Sequence, residues 1–367
     1  MKLTRIAKIG AIGAVAALAL TACASNESSG STEPTDGAAS LAGNLVGAGA
    51  SSQEVAIQTW STGFQTANPD VTVDYDPSGS GTGRESFLAG AVNFAGSDRA
   101  FKTDEIEEGT FGACAADTPI IEIPAYISPI AIVFNLEGVD SLNLDATTLA
   151  SIFTGEITNW NDEAIAADNP DATLPDLAIS PVHRADKSGT TGNFTDYLSA
   201  TAPDVWTYES VEEWPISSGE AATGTSGVID AVSGGNGTIG YADASRAGDL
   251  GTVAIKVGDE FVPYSPEAAA AVVDVSPLED GRDAGDLAVS IDRTTTEAGV
   301  YPLILISYLI ACEQYEDANT AALVKGFFEY AVSSEGQQAA ADAAGSAPMS
   351  SELEAKAAAA VDLIVTD

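Results

Sequence analysis

The stretch IIEIPAYISPIAIVF, residues 120–134, decides the fold class. Its two ends, residues 120–124 and 130–134, are short and mostly apolar runs rich in Ile and Val. Runs of this length and composition are typical of strands buried on both faces of a sheet. We therefore predict two buried strands here, separated by residues 125–129, which include Ser128 and Pro129.

Similar apolar runs recur along the chain and alternate with segments of helical periodicity. Residues 71–75 and 303–306 also predict strands, whereas residues 53–64, 147–153, 191–198 and 321–332 carry apolar side chains at the spacing of an amphipathic helix. Ala-rich segments at 268–272 and 356–360 are typical of ordinary helices. No fixed-period repeat is present, so this alternation predicts an α/β protein with largely buried sheets.

Length and composition exclude several classes of protein. The chain has 367 residues, which suggests about two domains. It carries 14 Lys and Arg against 54 Asp and Glu, a net charge of −40, so it lacks the basic surface that nucleic-acid binding requires. With one His and three Cys, a zinc cluster is disfavoured, and a catalytic triad would have to use His183.

The N-terminus has the pattern of a secretory signal. Basic residues Lys2, Arg5 and Lys8 precede an apolar run over 9–20, which is too short to span a membrane. The sequence LTAC at 20–23 resembles the lipobox of bacterial lipoproteins, whose Cys is acylated and becomes the new N-terminus. We therefore expect a signal over 1–22, a lipid anchor on Cys23 and a flexible polar tether over 23–40.

The other two cysteines, Cys114 and Cys312, would then lie in an oxidising compartment. A disulfide between them is the simplest interpretation. Two buried free thiols are the alternative.

Three loops rich in small residues precede helical segments. They are GAGASS at 47–52, PSGSGTG at 77–83 and RADKSGTTG at 184–192. Glycine lets the backbone approach a ligand closely, and the N–H groups at a helix start are unpaired donors. Hydroxyls of Ser and Thr and the Arg184 guanidinium add further donors. One such loop is often only a capped turn, but three together predict a site for a small oxyanion.

The three loops do not match the motifs of nucleotide binding or covalent hydrolysis. None of them has the P-loop pattern, and Gly79, Gly81 and Gly83 lack the G-x-G-x-x-G spacing. The G-x-S-x-G nucleophile elbow is also absent.

Six segments together resemble one family, the phosphate-binding lipoproteins of the bacterial phosphate-specific ABC transporter. They are GAGASS at 47–52, SGSGTGRESFLAG at 78–90, FAGSD at 94–98, ITNWNDEAIA at 157–166, PVHRADKSGTTGNFTDYLS at 181–199 and GTIGYADASRA at 237–247. The resemblance extends from about residue 45 to residue 348.

This resemblance implies a two-lobed periplasmic-binding-protein-like fold (type II) with the ligand in the cleft between the lobes. Lobe 1 would comprise residues 41–126 and 303–367, and lobe 2 residues 127–302. The implied function is capture of inorganic phosphate outside the cell and delivery to a membrane permease, by a monomer that catalyses no reaction and needs no cofactor or metal.

The resemblance also implies the phosphate ligands. They are the backbone and hydroxyl of Ser51, the backbone of Ser52, the Ser80 hydroxyl, the Asp98 carboxylate, the Arg184 guanidinium and the segment Ser188, Gly189 and Thr190. Ser51 stands where the family usually has Thr, and Ser52 replaces a common aromatic residue.

Asp98 is an unexpected ligand for an anion, because a carboxylate repels a dianion unless that anion carries a proton. Phosphate near neutral pH carries one and sulfate does not, so Asp98 would select phosphate. The alternative for Asp98 is an ordinary turn or helix-cap carboxylate. We expect Asp186 to pair with Arg184 and orient its guanidinium, and we interpret His183 as structural.

Three other functions stay open at this point. A secreted phosphatase could use the same anion site, and a receptor could bind sulfate or molybdate instead. A structural surface antigen is the third alternative, although it would leave the three loops unexplained.

Overall fold

The computed structural model describes residues 40–366. The predicted signal, Cys23 and almost all of the tether lie outside the described residues. Eleven strands are found in this part: Gly43–Gly49 (β1), Val71–Asp76 (β2), Phe94–Ser97 (β3), Ile120–Asn135 (β4), Ser141–Leu144 (β5), Ser180–Arg184 (β6), Glu220–Ala222 (β7), Thr238–Asp243 (β8), Gly251–Val257 (β9), Glu260–Val262 (β10) and Ile304–Cys312 (β11).

Helices connect most of these strands. They are Glu54–Ala67 (α1), Ser80–Leu88 (α2), Thr103–Glu108 (α3), Ala146–Thr154 (α4), Glu163–Asp168 (α5), Gly189–Thr201 (α6), Gly224–Gly234 (α7), Pro266–Val275 (α8), Ala318–Val332 (α9), Ser334–Ala344 (α10) and Ser351–Val361 (α11). The α/β class predicted from the sequence is therefore confirmed.

The strands form one continuous, mixed sheet in the order β2-β1-β3-β11-β4-β8-β6-β7. Strand β1 pairs in parallel with β2 and β3, and β6 pairs in parallel with β8 and β7. The central strands β11 and β4 run antiparallel to their neighbours. Strand β9 pairs with β4, β5 and β10 away from this path.

Strand β4 joins the two halves of the sheet. Its first part pairs with β11 as far as Pro129, and its second part pairs with β8 from Ile130 onward. The prediction of two separate strands here was wrong: one strand continues through residues 125–129. Pro129 has no N–H to donate, and it stands where the pairing partner changes, so the strand continues without losing a ladder bond.

The predicted helices are all present, with boundaries that differ by a few residues. Side-chain caps explain several of the starts: Ser188 accepts from the Thr191 N–H at the start of α6, and Asp317 accepts from the Thr320 N–H at the start of α9. Helix α1 has no side-chain cap. Its first N–H groups are therefore left for another partner.

Large aromatic side chains fill the core between sheet and helices. Trp60, Trp160 and Trp206 are at most 1% exposed, as expected of packing residues. The indoles of Trp60 and Trp160 donate to the carbonyls of Gly336 and Gly237 at 2.8 and 3.1 Å.

The expected disulfide between Cys114 and Cys312 is formed, with the two Cα atoms 5.3 Å apart. It ties the loop after α3 to the end of β11. None of the helices between residues 40 and 366 combines the length and the apolar character needed to cross a membrane.

Candidate functional site

The three small-residue loops meet at the ends of strands. Strand β1 runs through the first loop into α1, β2 leads through the second into α2, and β6 leads through the third into α6. The carboxyl ends of strands and the amino ends of the following helices are where α/β sheets bind ligands, and helix N-termini favour anions.

Backbone contacts hold the three loops against one another. The Gly79 N–H donates to the Gly49 carbonyl at 2.8 Å, and the Gly81 N–H donates to the Lys187 carbonyl at 3.1 Å. Gly79 has φ +102°, and a Cβ there would lie 2.6 Å from an Asp186 carboxylate oxygen. Only glycine fits both this backbone conformation and this close approach.

Serine hydroxyls at the site mostly accept hydrogen bonds from the backbone. The Ser80 oxygen accepts from the Asp98 N–H at 3.1 Å, and the Ser188 oxygen accepts from the Thr191 N–H at 3.2 Å. Ser51 accepts from the Thr225 N–H at 3.1 Å. A hydroxyl used in this way keeps its own proton, which it can donate to a ligand oxygen.

Gly189 and Thr190 belong to a helix and not to a free loop. They form the first turn of α6, with Ser188 as the N-cap. The first N–H groups of a helix have no partner within it, so this segment presents backbone donors together with the Thr190 hydroxyl.

Asp98 lies at the centre of the site and is 3% exposed. Its carboxylate oxygens accept from the Ser52 hydroxyl at 2.6 Å and the Thr190 hydroxyl at 2.9 Å. Burial raises the pKa of Asp98, and the hydrogen bond from Ser52, the nearby Ser307 hydroxyl, the hydrogen bond from Thr190 and the Arg184 charge oppose that rise. The carboxylate thus connects segments of chain more than 90 residues apart.

Arg184 is 3% exposed and paired with Asp186, as expected. Its Nε donates to Asp186 Oδ1 at 2.8 Å, and its Nη2 donates to Asp186 Oδ2. Burial alone would raise the pKa of Asp186, but the bonds and charge of Arg184 outweigh it and hold the pKa below its usual value. Paired in this way, the guanidinium is oriented and its charge is balanced.

Four residues that sequence reasoning missed complete the site. Thr225 contacts Ser51, Tyr241 accepts from the Arg184 N–H at 3.3 Å, and Asn193 donates to the Asp98 carbonyl at 2.7 Å. The Gly224 N–H donates to Asp186 at 3.0 Å. Gly224 and Thr225 begin α7 in the segment TGTSG, which carries the same signal as the three predicted loops.

The contacts of His183 are structural. The His183 ring stacks on Trp214, with centroids 5.1 Å apart, and its Nδ1 lies 2.9 Å from the Arg184 carbonyl. Within residues 40–366 no three His, Cys, Asp or Glu side chains are grouped as metal ligands would be.

A cleft of about 870 Å³ opens beside the site. Asp98 and Gly189 form part of its wall, and Glu212 lies on it as well. Glu212 pairs with Arg84 at 2.5 Å and with Arg99 at 3.1 Å. The site is therefore buried but adjoins an opening of ample size for a small anion.

Comparison with known proteins identifies the class of protein first. The profile of the PBP superfamily domain matches residues 34–335, which makes this chain a member of the periplasmic-binding-protein superfamily. A solved structure described as a high-affinity periplasmic phosphate-binding protein (PfluDING) bound with phosphate has the same fold. Its TM-score is 0.69 at 22% identity, with 86% of this chain and 93% of that chain covered.

Sequence relatives then identify the family. Phosphate-binding protein PstS 2 of Mycobacterium tuberculosis is 32% identical over 345 residues, covering 92% of each chain. Phosphate-binding protein PstS 3 of the same organism is 32% identical over 330 residues, covering 87% of this chain and 86% of that protein. The chain belongs to the PstS family of phosphate-binding proteins, a family of substrate-binding proteins and not of enzymes.

Proposed function

We propose that this protein is an extracytoplasmic receptor that binds inorganic phosphate and delivers it to an ABC importer. The observation that carries the proposal is the convergence of Ser51, Ser80, Asp98, Arg184 and the first turn of α6 in one buried site. The hydroxyls of Ser80 and Ser188 accept from the backbone and so keep donors for an oxyanion. The names of the PstS relatives support phosphate as that oxyanion.

Phosphate is selected through Asp98. An ionised carboxylate can accept the hydrogen of HPO₄²⁻ or H₂PO₄⁻, whereas sulfate would place an acceptor against an acceptor. An unmade hydrogen bond in a buried site costs about 1–3 kcal/mol, or more for charged groups, which is enough to reject sulfate strongly.

Dipoles, and not net positive charge, hold the anion. The one guanidinium among the proposed ligands, that of Arg184, is balanced by Asp186. Hydroxyls and helix N-terminal amides supply the remaining attraction, and they act strongly because the site excludes water. A chain of net charge −40 can therefore bind an anion.

Closure of two lobes traps the ligand. Lobe 1 comprises residues 41–126 and 303–367, and lobe 2 residues 127–302, with the chain crossing near 126–129 and 301–303. The change of pairing partner at Pro129 supports these boundaries. Contacts between Asp98 and Thr190 and between Ser51 and Thr225 cross from one lobe to the other, as a ligand-closed state requires.

The receptor is a monomer held at the outer face of the cytoplasmic membrane. The lipobox predicts acylation of Cys23, and the polar tether gives the folded part reach to the transmembrane permease. A Cys23→Ala variant should leave the membrane fraction and lose incorporation of labelled fatty acid. Retention of the variant in the membrane would contradict the anchor.

Equilibrium dialysis with labelled phosphate tests the binding function. Arg184→Ala should weaken binding about tenfold to a hundredfold or more, because a hydrogen-bonded charge at a buried site is lost. Lys356→Ala is the control, since Lys356 makes only an exposed ion pair on α11. Unchanged binding in Arg184→Ala would exclude the proposed site.

A further inference from the structure

Ser307, on strand β11, lies at the level of Asp98 in the sheet. Strand β11 pairs antiparallel with β3, with Tyr308 opposite Ser97 and Leu309 opposite Gly96. One more step along each strand brings Ser307 beside Asp98. On the other edge of β11, the pairing with β4 shifts register between Ser307 and Leu309. Such irregularities redirect side chains and are common beside functional sites.

The Ser307 hydroxyl is buried and acts on the Asp98 carboxyl group. Ser307 is 0% exposed, and its hydroxyl lowers the Asp98 pKa. Its Oγ nevertheless forms no hydrogen bond with any described residue. A buried hydroxyl without a partner costs free energy, so a role in the ligand-bound state would explain its presence.

The other two hydroxyls at Asp98 belong to the anion-binding segments. Ser52 is the last residue of the first loop, and Thr190 lies in the first turn of α6. Both stand where a bound oxyanion would compete for their protons. Ser307 lies on a strand outside those segments, so its hydroxyl can be dedicated to the carboxylate.

We propose that Ser307 is a specificity-determining positioning residue, whose hydroxyl donates to Asp98 in the ligand-bound state and keeps that carboxylate a hydrogen-bond acceptor. The proposal rests on the proposed phosphate-binding function. The site then favours tetrahedral oxyanions that carry a hydrogen over those that do not.

The groups that face Asp98 determine how its titration should respond. Arg184 on β6 is cationic and favours the ionised carboxylate. Burial, with a smaller effect from the Asp98 charge, raises the pKa of the Tyr75 hydroxyl on β2. Ser52, Ser80, Thr190 and Asn193 contribute neutral groups. Loss of the Ser307 donor should therefore raise the Asp98 pKa further. As the pH is lowered, phosphate binding should then be lost at a higher pH than in the parent protein.

Titration calorimetry with phosphate and sulfate across a pH series tests this role. Ser307→Ala should weaken phosphate binding about tenfold at pH 7, the typical effect of one hydrogen bond to a charged group. The acid side of the pH profile of phosphate binding should move to higher pH in Ser307→Ala than in the parent protein. The preference of the variant for phosphate over sulfate should also fall. Protonation of phosphate itself affects both proteins equally, so it cancels when the two pH profiles are compared.

Matched variants separate the donor from the packing of the strand. Ser307→Thr and Ser307→Val have nearly equal volume and differ in the hydroxyl, so only Ser307→Thr should keep the parent pH profile. Comparison of these two variants also tests the role of the hydroxyl if Ser307→Ala fails to fold. Ser151→Ala removes a buried hydroxyl on α4, away from the site, and should bind phosphate as the parent does.

A double-mutant cycle tests whether Ser307 acts through Asp98. In an Asp98→Asn background the Ser307→Ala change should have no further effect on phosphate affinity. An equal loss in both backgrounds, or a parent-like pH profile in Ser307→Ala and Ser307→Val, overturns the inference while leaving phosphate binding intact. Absence of phosphate binding by the parent protein would overturn the proposed function, and this inference with it.

Discussion

At the scale of single residues, the site depends on glycines that lie too close to neighbouring side chains to carry a Cβ. Gly79 contacts the Asp186 carboxylate that holds Arg184, and a Cβ on Gly189 would lie 2.4 Å from the Ser80 oxygen. The glycine-rich loops of the sequence predicted that the backbone comes close to a ligand. The sequence alone could not predict that Gly79 approaches Asp186 and that Gly189 approaches Ser80, because those contacts join segments far apart in the chain.

A Gly79→Ala variant should weaken phosphate binding by about tenfold or more, equivalent to at least ~1.4 kcal/mol. The new methyl group would push Asp186, and with it the Arg184 guanidinium, out of position. Gly138→Ala is the matched control: Gly138 also has positive φ, +81°, but nothing lies within 4 Å of its would-be Cβ. Calorimetry should show lost affinity only in Gly79→Ala, and equal affinities would refute the positioning argument.

At the scale of elements, an ion-pair cluster connects α2 and the segment after β3 to the segment after α6. Glu212 pairs with Arg84, which is 3% exposed, and with Arg99. Burial would raise the pKa of Glu212, but Arg84 and Arg99 outweigh it and lower the pKa below its usual 4.5. The attraction is therefore complete above pH 4.5 and is lost as pH falls through the lowered pKa.

Glu212→Gln should weaken phosphate binding on the order of tenfold at pH 7, because the closed arrangement loses a buried ionic link. The difference from the parent protein should shrink as the parent Glu212 becomes protonated below pH 4.5. Glu213→Gln is the control, since the adjacent Glu213 forms no ion pair with any described residue. A pH-independent difference would argue against the ionic link.

At the scale of the whole molecule, the sequence predicted the kinds of elements better than their connections. Apolar runs correctly predicted strand structure in β2, β4 and β11 but not in the other eight strands. The three small-residue loops lie in contact with one another, as a shared site requires. The prediction of two strands over 120–124 and 130–134 was wrong, because local periodicity contains no information about which strand pairs with which. Tyr241 and Ser307 were missed for the same reason, since only the folded chain brings them to the site. Thr225, by contrast, lies in TGTSG, a segment with the same small-residue signal as the three loops.

The disulfide acts at this scale as well, because it joins residues 198 positions apart. Its removal in a Cys114→Ser/Cys312→Ser variant should cost about 2–5 kcal/mol of unfolding free energy, through greater freedom of the unfolded chain. Denaturant unfolding with and without a reductant measures this cost. The reductant should destabilise the parent protein to the level of the variant and leave the variant unchanged; equal stability of both oxidised proteins would contradict the expectation.

The central claim is that Asp98 lets a buried, charge-balanced site bind phosphate and reject sulfate. The most direct test is calorimetric titration of the ligand-free parent protein and of Asp98→Asn with both anions at neutral pH. We predict one-to-one binding of phosphate with no sulfate signal in the parent, and weaker phosphate binding with a measurable gain for sulfate in Asp98→Asn. Absence of phosphate binding by the parent protein, or equally tight binding of sulfate, would contradict the claim.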